Sequence, residues 1–326
     1  MAQYATHHLD MKQMQKPFLY RVNLTPENLD LMQQQDHEVK GNPNFVSEFL
    51  AGSPKSDDFK LLLRRPDLVS WNEDGSAVLI PNSPYIDANS LVEDPKGYKS
   101  RSGGLALNVW FVHPKQLEES VFADPEVRKH PEKIKEIYNY APDLERTSSA
   151  ARHNEQKRIR ETEAETGVPY LTSVLDLRSE NVPWLKSLKA MVMENLYKEY
   201  GVTHSDKVDL FFHEVVSLET ATLHLHVRVN QEISPLEKQK SLGLDEIING
   251  LESGKSVRDM LLERKEVYHA ILEGEFPMVS EGVVRVPNPF LPNRGYEKPA
   301  KGFVDSFVEM LFGSNNPPVS QSRGLA

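Results

Sequence analysis

The nine residues Thr222-Leu223-His224-Leu225-His226-Val227-Arg228-Val229-Asn230 constrain this chain more than any other stretch. Successive side chains of a strand point to opposite faces. Leu223, Leu225, Val227 and Val229 therefore share one side, and Thr222, His224, His226, Arg228 and Asn230 share the other. One face is apolar and must meet a core. The other carries two histidines, an arginine and an asparagine where an ordinary wet face carries Lys, Glu or Ser. Neighbours along such a face stand roughly 7 Å apart, so these side chains make a row of hydrogen-bond donors. A row like this suits an anion with several oxygens, and phosphate is the commonest biological case.

Flanking patterns supply partners for that strand. Val208 to Val216 reads as a second strand, joined to the first as a hairpin, with His213 on the face of Asp209 and Phe211. Leu185, Leu188, Val192 and Leu196 recur at three- and four-residue spacings and predict an amphipathic helix over 180–200. Ser179 is its expected cap and Gly201 its expected stop. Helices are also predicted over 243–251, with Leu244, Ile247, Ile248 and Leu251 on one face, and over 256–272. Upstream, Ser76 to Ile80 is a strand closed by Pro81-Asn82-Ser83-Pro84, and 103–115 is a longer strand begun by glycines and stopped by Pro114. Trp71 and Trp110 read as core or sheet aromatics. Strands and helices in this order give an α+β fold.

Three parts are expected in the 326 residues. Residues 1–60 form an N-terminal arm, with a short helix from Pro26 to Met32 capped by Thr25. Residues 61–275 form the main domain, with a charged insertion at about 116–167 and a short helix over 131–138. Residues 276–326 form a Pro/Gly-rich C-terminal extension, whose apolar helix over 303–312 reads as a docking or oligomer contact. In the insertion Arg146, Arg152, Lys157, Arg158 and Arg160 alternate with Glu155, Glu161, Glu163 and Glu165. That balance points to a solvated segment, not a nucleic-acid patch. A net charge of -10 also argues against long nucleic acid and anionic membrane as partners. No run approaches the eighteen apolar residues of a membrane span, and no signal peptide is expected. Cysteine is absent, which excludes disulfides, thiolate zinc sites and cysteine nucleophiles and fits a reducing compartment. The expected location is cytoplasmic, with the nucleus also compatible.

The core His224-Leu225-His226-Val227-Arg228 resembles the histidine triad (HIT) superfamily, whose motif is His-x-His-x-His-x with apolar x. The likeness is wider than the motif. Val168 to Arg178 followed by Val182-Pro183-Trp184-Leu185 looks like the segment entering the long helix of these proteins. Phe212-His213-Glu214 through His226, and then Leu244 to Glu252, look most like the scavenger mRNA decapping branch; Pro66 to Asn72 is similar to another segment of that branch. The resemblance implies a HIT-like antiparallel sheet with a long packed helix, often in a two-fold dimer, so a homodimer is the expected partner state.

For chemistry, the resemblance makes His226 the nucleophile that carries a nucleotidyl group and His224 the residue that orients it. Arg228 stands at the third histidine's position, and Ala221 stands where a small hydroxyl is usual. A guanidinium binds phosphate but does not give a proton to a leaving group. The galactose-1-phosphate uridylyltransferase branch also lacks the third histidine. Expected phosphate-binding residues are Arg228, His213, Lys115 and Asn230. Three readings stay open. One is a nucleotide phosphoanhydride hydrolase or nucleotidyltransferase, acting on cap-like or dinucleoside polyphosphate substrates. Another is a degenerate member that binds nucleotide without turnover. The third is a zinc site of His224, His226 and His213, which a fixed cation at Arg228 opposes. No cofactor and no metal are therefore expected. A cap-like substrate would call for an aromatic stacking pocket, with Trp71, Tyr85 and Trp110 as candidates.

Overall fold

The computed structural model describes residues 14–38, 46, 49, 50, 52, 56–102, 104–130, 133, 171–214, 223–269 and 282–291. The strands are β1 (Phe18–Asn23), β2 (Ser70–Trp71), β3 (Ala77–Pro81), β4 (Leu105–Phe111), β5 (Val208–His213), β6 (His224–Val229), β7 (Ser241–Gly243), β8 (Glu266–His269) and β9 (Val283–Pro287). The helices that matter here are α1 (Pro26–Glu38), α2 (Asp57–Arg64), α3 (Pro114–Glu118), α4 (Val182–Glu199), α5 (Pro235–Lys240), α6 (Leu244–Glu252) and α7 (Val257–Arg264). Strand pairing is antiparallel throughout, in a six-stranded sheet of order β2-β3-β4-β6-β5-β7 and a three-stranded sheet of order β8-β1-β9. The fold is α+β.

The alternation in β6 sets the centre of the large sheet. Leu225, Val227 and Val229 are fully buried, together with Leu105, Leu107 and Val109 of β4 and Phe212 of β5. Helix α4 covers this face with Leu185, Leu188, Val192 and Leu196, the residues whose spacing predicted it, and α6 adds Leu244, Ile247 and Ile248. Burying a side chain of this size contributes about 1.5–3 kcal/mol. The opposite face is divided. Over β3 and the end of β4, Val78, Ile80, Trp110 and Val112 meet a second apolar cluster containing Phe49, Phe59, Leu62 and Phe122. Over β5 and β6 that face carries the histidines.

The strand over 76–80, the hairpin of β5 with β6, the Thr25-capped helix and the helix over 243–251 are found where the sequence put them. Gly201 follows α4 with φ +59°, as a helix stop requires. Four expectations differ. Ser179 does not cap α4: it opens a short 3₁₀ turn, and α4 begins after Asn181 with Pro183 in its first turn. The strand expected over 103–115 ends at Phe111. His113 then caps α3, its Nδ1 accepting from the Lys115 amide at 3.2 Å.

The helix expected over 256–272 stops at Arg264. Lys265 takes a left-handed φ of +66°, and Glu266–His269 continue as β8 against β1. Val257, Met260 and Leu261 fit a helical face, whereas burial alternates from Glu266 to His269. Finally, β1 from the N-terminal arm, β8 from the main domain and β9 from beyond 275 share one sheet. The expected boundaries at 60 and 275 thus fall inside one compact unit, residues 1–288. Ala221, Thr222 and residues 145–167 lie outside the described residues, as do the helix expected over 303–312 and all but one residue of that expected over 131–138. Among the described residues no helix is long and apolar enough to cross a membrane.

Candidate anion site on the histidine face

Register brings the site together. His226 lies between Asn108 of β4 and Phe211 of β5, Arg228 between Ala106 and Asp209, and His224 beside Trp110. Cross-strand partners share a face, so these side chains project the same way as His213 at the end of β5. The His213 and His226 ring centroids are 4.0 Å apart and those of His224 and His226 are 4.5 Å apart. Phe211 stacks on His226 at 5.1 Å, and the Trp110 and His224 rings stack at 4.3 Å.

A face of donors reads from sequence as solvent-exposed, and here it is covered. His226 is 7% exposed and Arg228 4%. The cover comes from residues distant in sequence. Tyr85 lies with its ring centroid 5.5 Å from the Arg228 guanidinium carbon. Helix α5 brings in Glu237, whose Oε1 is 3.5 Å from His213 Nε2 and 3.9 Å from Arg228 Nη2. Beyond it, Glu214 and His269 are both buried, with Oε1 and Nε2 3.3 Å apart but off a hydrogen-bonding direction.

Burial governs the protonation of the rings. It pushes His213 and His226 well below the ordinary 6.5, and neighbouring charges add to it: Lys240, His224 and Arg228 at His213, and His213, His224 and Arg228 at His226. Both imidazoles are neutral at physiological pH. In His226 the tautomer follows from one contact. Arg228 Nη2 is 3.3 Å from His226 Nδ1. A guanidinium has no acceptor, so Nδ1 accepts, and the ring's one hydrogen sits on Nε2. That Nε2 is buried and, among the described residues, has no hydrogen-bond partner, like His213 Nε2 and Asn108 Oδ1 on the same face. A buried polar atom without a partner costs about 1–3 kcal/mol.

The remaining expected residues lie elsewhere. Asn230 sits past the end of β6 with φ +54°, accepting from the Lys207 amide and donating to Asp206, so its side chain serves a turn. Lys115 belongs to α3, beyond the end of β4. Of the aromatics proposed for stacking a base, Trp110 is covered by His224, and Trp71 packs at 5.0 Å on Phe122. Tyr85 alone of the three stands beside Arg228. Although the three histidines gather, among the described residues no set of histidines and carboxylates is arranged to share one metal ion. A separate cleft of about 500 Å3, lined in part by Gln33, Arg178, Lys255 and Arg258, includes none of these histidines.

Three contributors were not picked out from sequence. Asn108 had a signal, as the one polar residue in the run Leu105 to Phe111. Glu237 had a misleading one, because Ser234-Pro235-Leu236-Glu237 has the form of a capping box. Phe211, noted only as sharing a face with His213, supplies the ring against His226. No protein-family model matches this chain, and no curated protein matches it.

Proposed function

We propose that the histidine face binds the phosphate of a nucleotide, and that the chain is a HIT-like protein that binds its nucleotide without turning it over. The observation that carries this reading is the Arg228 to His226 Nδ1 contact at 3.3 Å. It leaves a hydrogen on Nε2, where a nucleophile needs a lone pair, and so makes His226 a donor to an anion. Arg228 supplies positive charge, and charge-assisted bonds to phosphate are the strong ones. The nucleotide itself comes from the motif likeness at His224, His226 and Arg228, and the half-buried Tyr85 stands where a base or sugar would approach.

The hydrolase or nucleotidyltransferase reading has one observation in its favour. His226 is neutral, and a neutral imidazole whose hydrogen moved to Nδ1 would attack phosphorus. It has no general acid at Arg228, whose pKa is too high for proton donation.

Labelled capped, dinucleoside polyphosphate and sugar nucleotides distinguish the two. Binding without turnover predicts saturable retention that weakens about 10-fold or more in Arg228→Ala, the loss expected for a charge-assisted hydrogen bond worth roughly 1.5–3 kcal/mol. It also predicts no covalent adduct. A nucleotidyl-histidine that disappears in His226→Ala would overturn it in favour of transfer.

A further inference from the structure

Glu237 lies in the first turn of α5, where the first half of a capping box is made: the Glu237 amide donates to Ser234 Oγ at 3.1 Å. In the usual second half the glutamate side chain returns to the cap. Here the carboxylate instead enters the histidine face, 3.5 Å from His213 Nε2 and 3.9 Å from Arg228 Nη2, with its side chain only 10% exposed. A buried carboxylate costs several kcal/mol of lost hydration unless it is paired. Its companions are the same groups that would receive a phosphate oxygen.

Resting on the anion-site reading, we propose that Glu237 is a resident anion that holds the phosphate position and sets which ligands enter it. A carboxylate oxygen and a phosphate oxygen seek the same donors with the same geometry. Like charges this close repel strongly in a partly buried site, so a phosphate enters only when the Glu237 side chain swings away. The backbone beneath stays in place. Ser241 Oγ donates to the Glu237 carbonyl at 2.6 Å, and Arg264 Nη1 donates to the Ser241 carbonyl at 2.6 Å. Selection therefore lies in one side chain, not in a moving helix. A doubly charged terminal phosphate meets the larger repulsion, and a singly charged bridging phosphate meets the smaller.

The test is calorimetric titration of the full chain with inorganic phosphate and with adenosine monophosphate, comparing wild type with Glu237→Gln. Glutamine keeps the shape and removes the charge. Both probes should bind at least 10-fold tighter to the variant, and tighter still relative to a singly charged dinucleoside monophosphate. If Glu237→Gln does not fold, Glu237→Asp withdraws the carboxylate by one methylene and should still tighten binding severalfold. Wild-type binding that is unchanged or weakened by the substitutions overturns the resident anion and leaves the anion site standing. Binding by a variant alone supports both. Folded protein of every form that binds neither probe overturns both.

Discussion

The two faces of β6 are both largely buried and chemically opposite. Leu225, Val227 and Val229 enter a core sealed by α4, while His226 and Arg228 enter a layer sealed by Glu237, Tyr85 and rings from the neighbouring strands. Burial is therefore not what distinguishes structure from site. Satisfaction is. Apolar groups are content once buried, whereas His226 Nε2, His213 Nε2 and Asn108 Oδ1 are buried without a hydrogen-bond partner among the described residues. One face contributes stability, and the other gives some of it up.

The largest expected contrast is mutational. Leu225→Ala removes a fully buried side chain from the sealed core and should cost about 4 kcal/mol in chemical denaturation. Phosphate affinity of the folded fraction should hardly change. Arg228→Ala should cost about 3 kcal/mol, because it strands the buried Glu237 carboxylate and the His226 Nδ1 acceptor. Unlike the leucine variant, it should also weaken phosphate. At the other end of the scale, His213→Leu should change stability by less than about 1 kcal/mol net, because the gain from removing a buried nitrogen with no hydrogen-bond partner among the described residues opposes the loss of one of the two companions of the Glu237 carboxylate. A loss comparable to that of Leu225→Ala would mean that the two faces do the same structural work.

Between these lies the response to acid. Burial first of all holds His213, His226 and His269 below 6.5 in the folded chain. Beneath pH 6.5 the unfolded chain binds the extra protons, so stability is full above that value and falls as the pH drops. The slope is about 1.4 kcal/mol per pH unit for each histidine. Asp58 in α2 opposes them. Its carboxyl is lifted by burial from 3.8 to about 7, so between those values the folded chain binds the extra proton and gains stability as the pH falls. Asp58→Asn should therefore steepen the acid loss by about one proton, read from urea midpoints between pH 7 and 5. An unchanged slope would sharpen the comparison against us, because it would leave the histidines without their counterweight.

Local periodicity carried much of this architecture. The strict alternation from Leu223 to Val229, the spacing of Leu185 to Leu196 and Gly201 after the helix each encode a local preference that packing then agrees with. What was not legible depended on distant partners. Phe18–Asn23 became a strand because Glu266–His269 and Val283–Pro287 flank it. The helix over 256–272 failed at Lys265 because β1 offered a ladder to the residues after it. In the site, the donor types were readable but their burial was not, since nothing local in Ser234 to Glu237 announces that its carboxylate will lie against Arg228. Asn230 misled for the converse reason: its alternation was right, but the strand ended one residue earlier and its amide was taken up by a turn.

The tautomer of His226 is the most direct test of the central claim. In uniformly 15N-labelled protein, the imidazole resonances should show an unprotonated Nδ1 and a hydrogen-bearing Nε2, and added nucleotide should shift Nε2 without creating a bond to phosphorus. A hydrogen on Nδ1 in the free protein, or a phosphorus-coupled Nε2 after nucleotide is added, would contradict the account and make His226 a nucleophile.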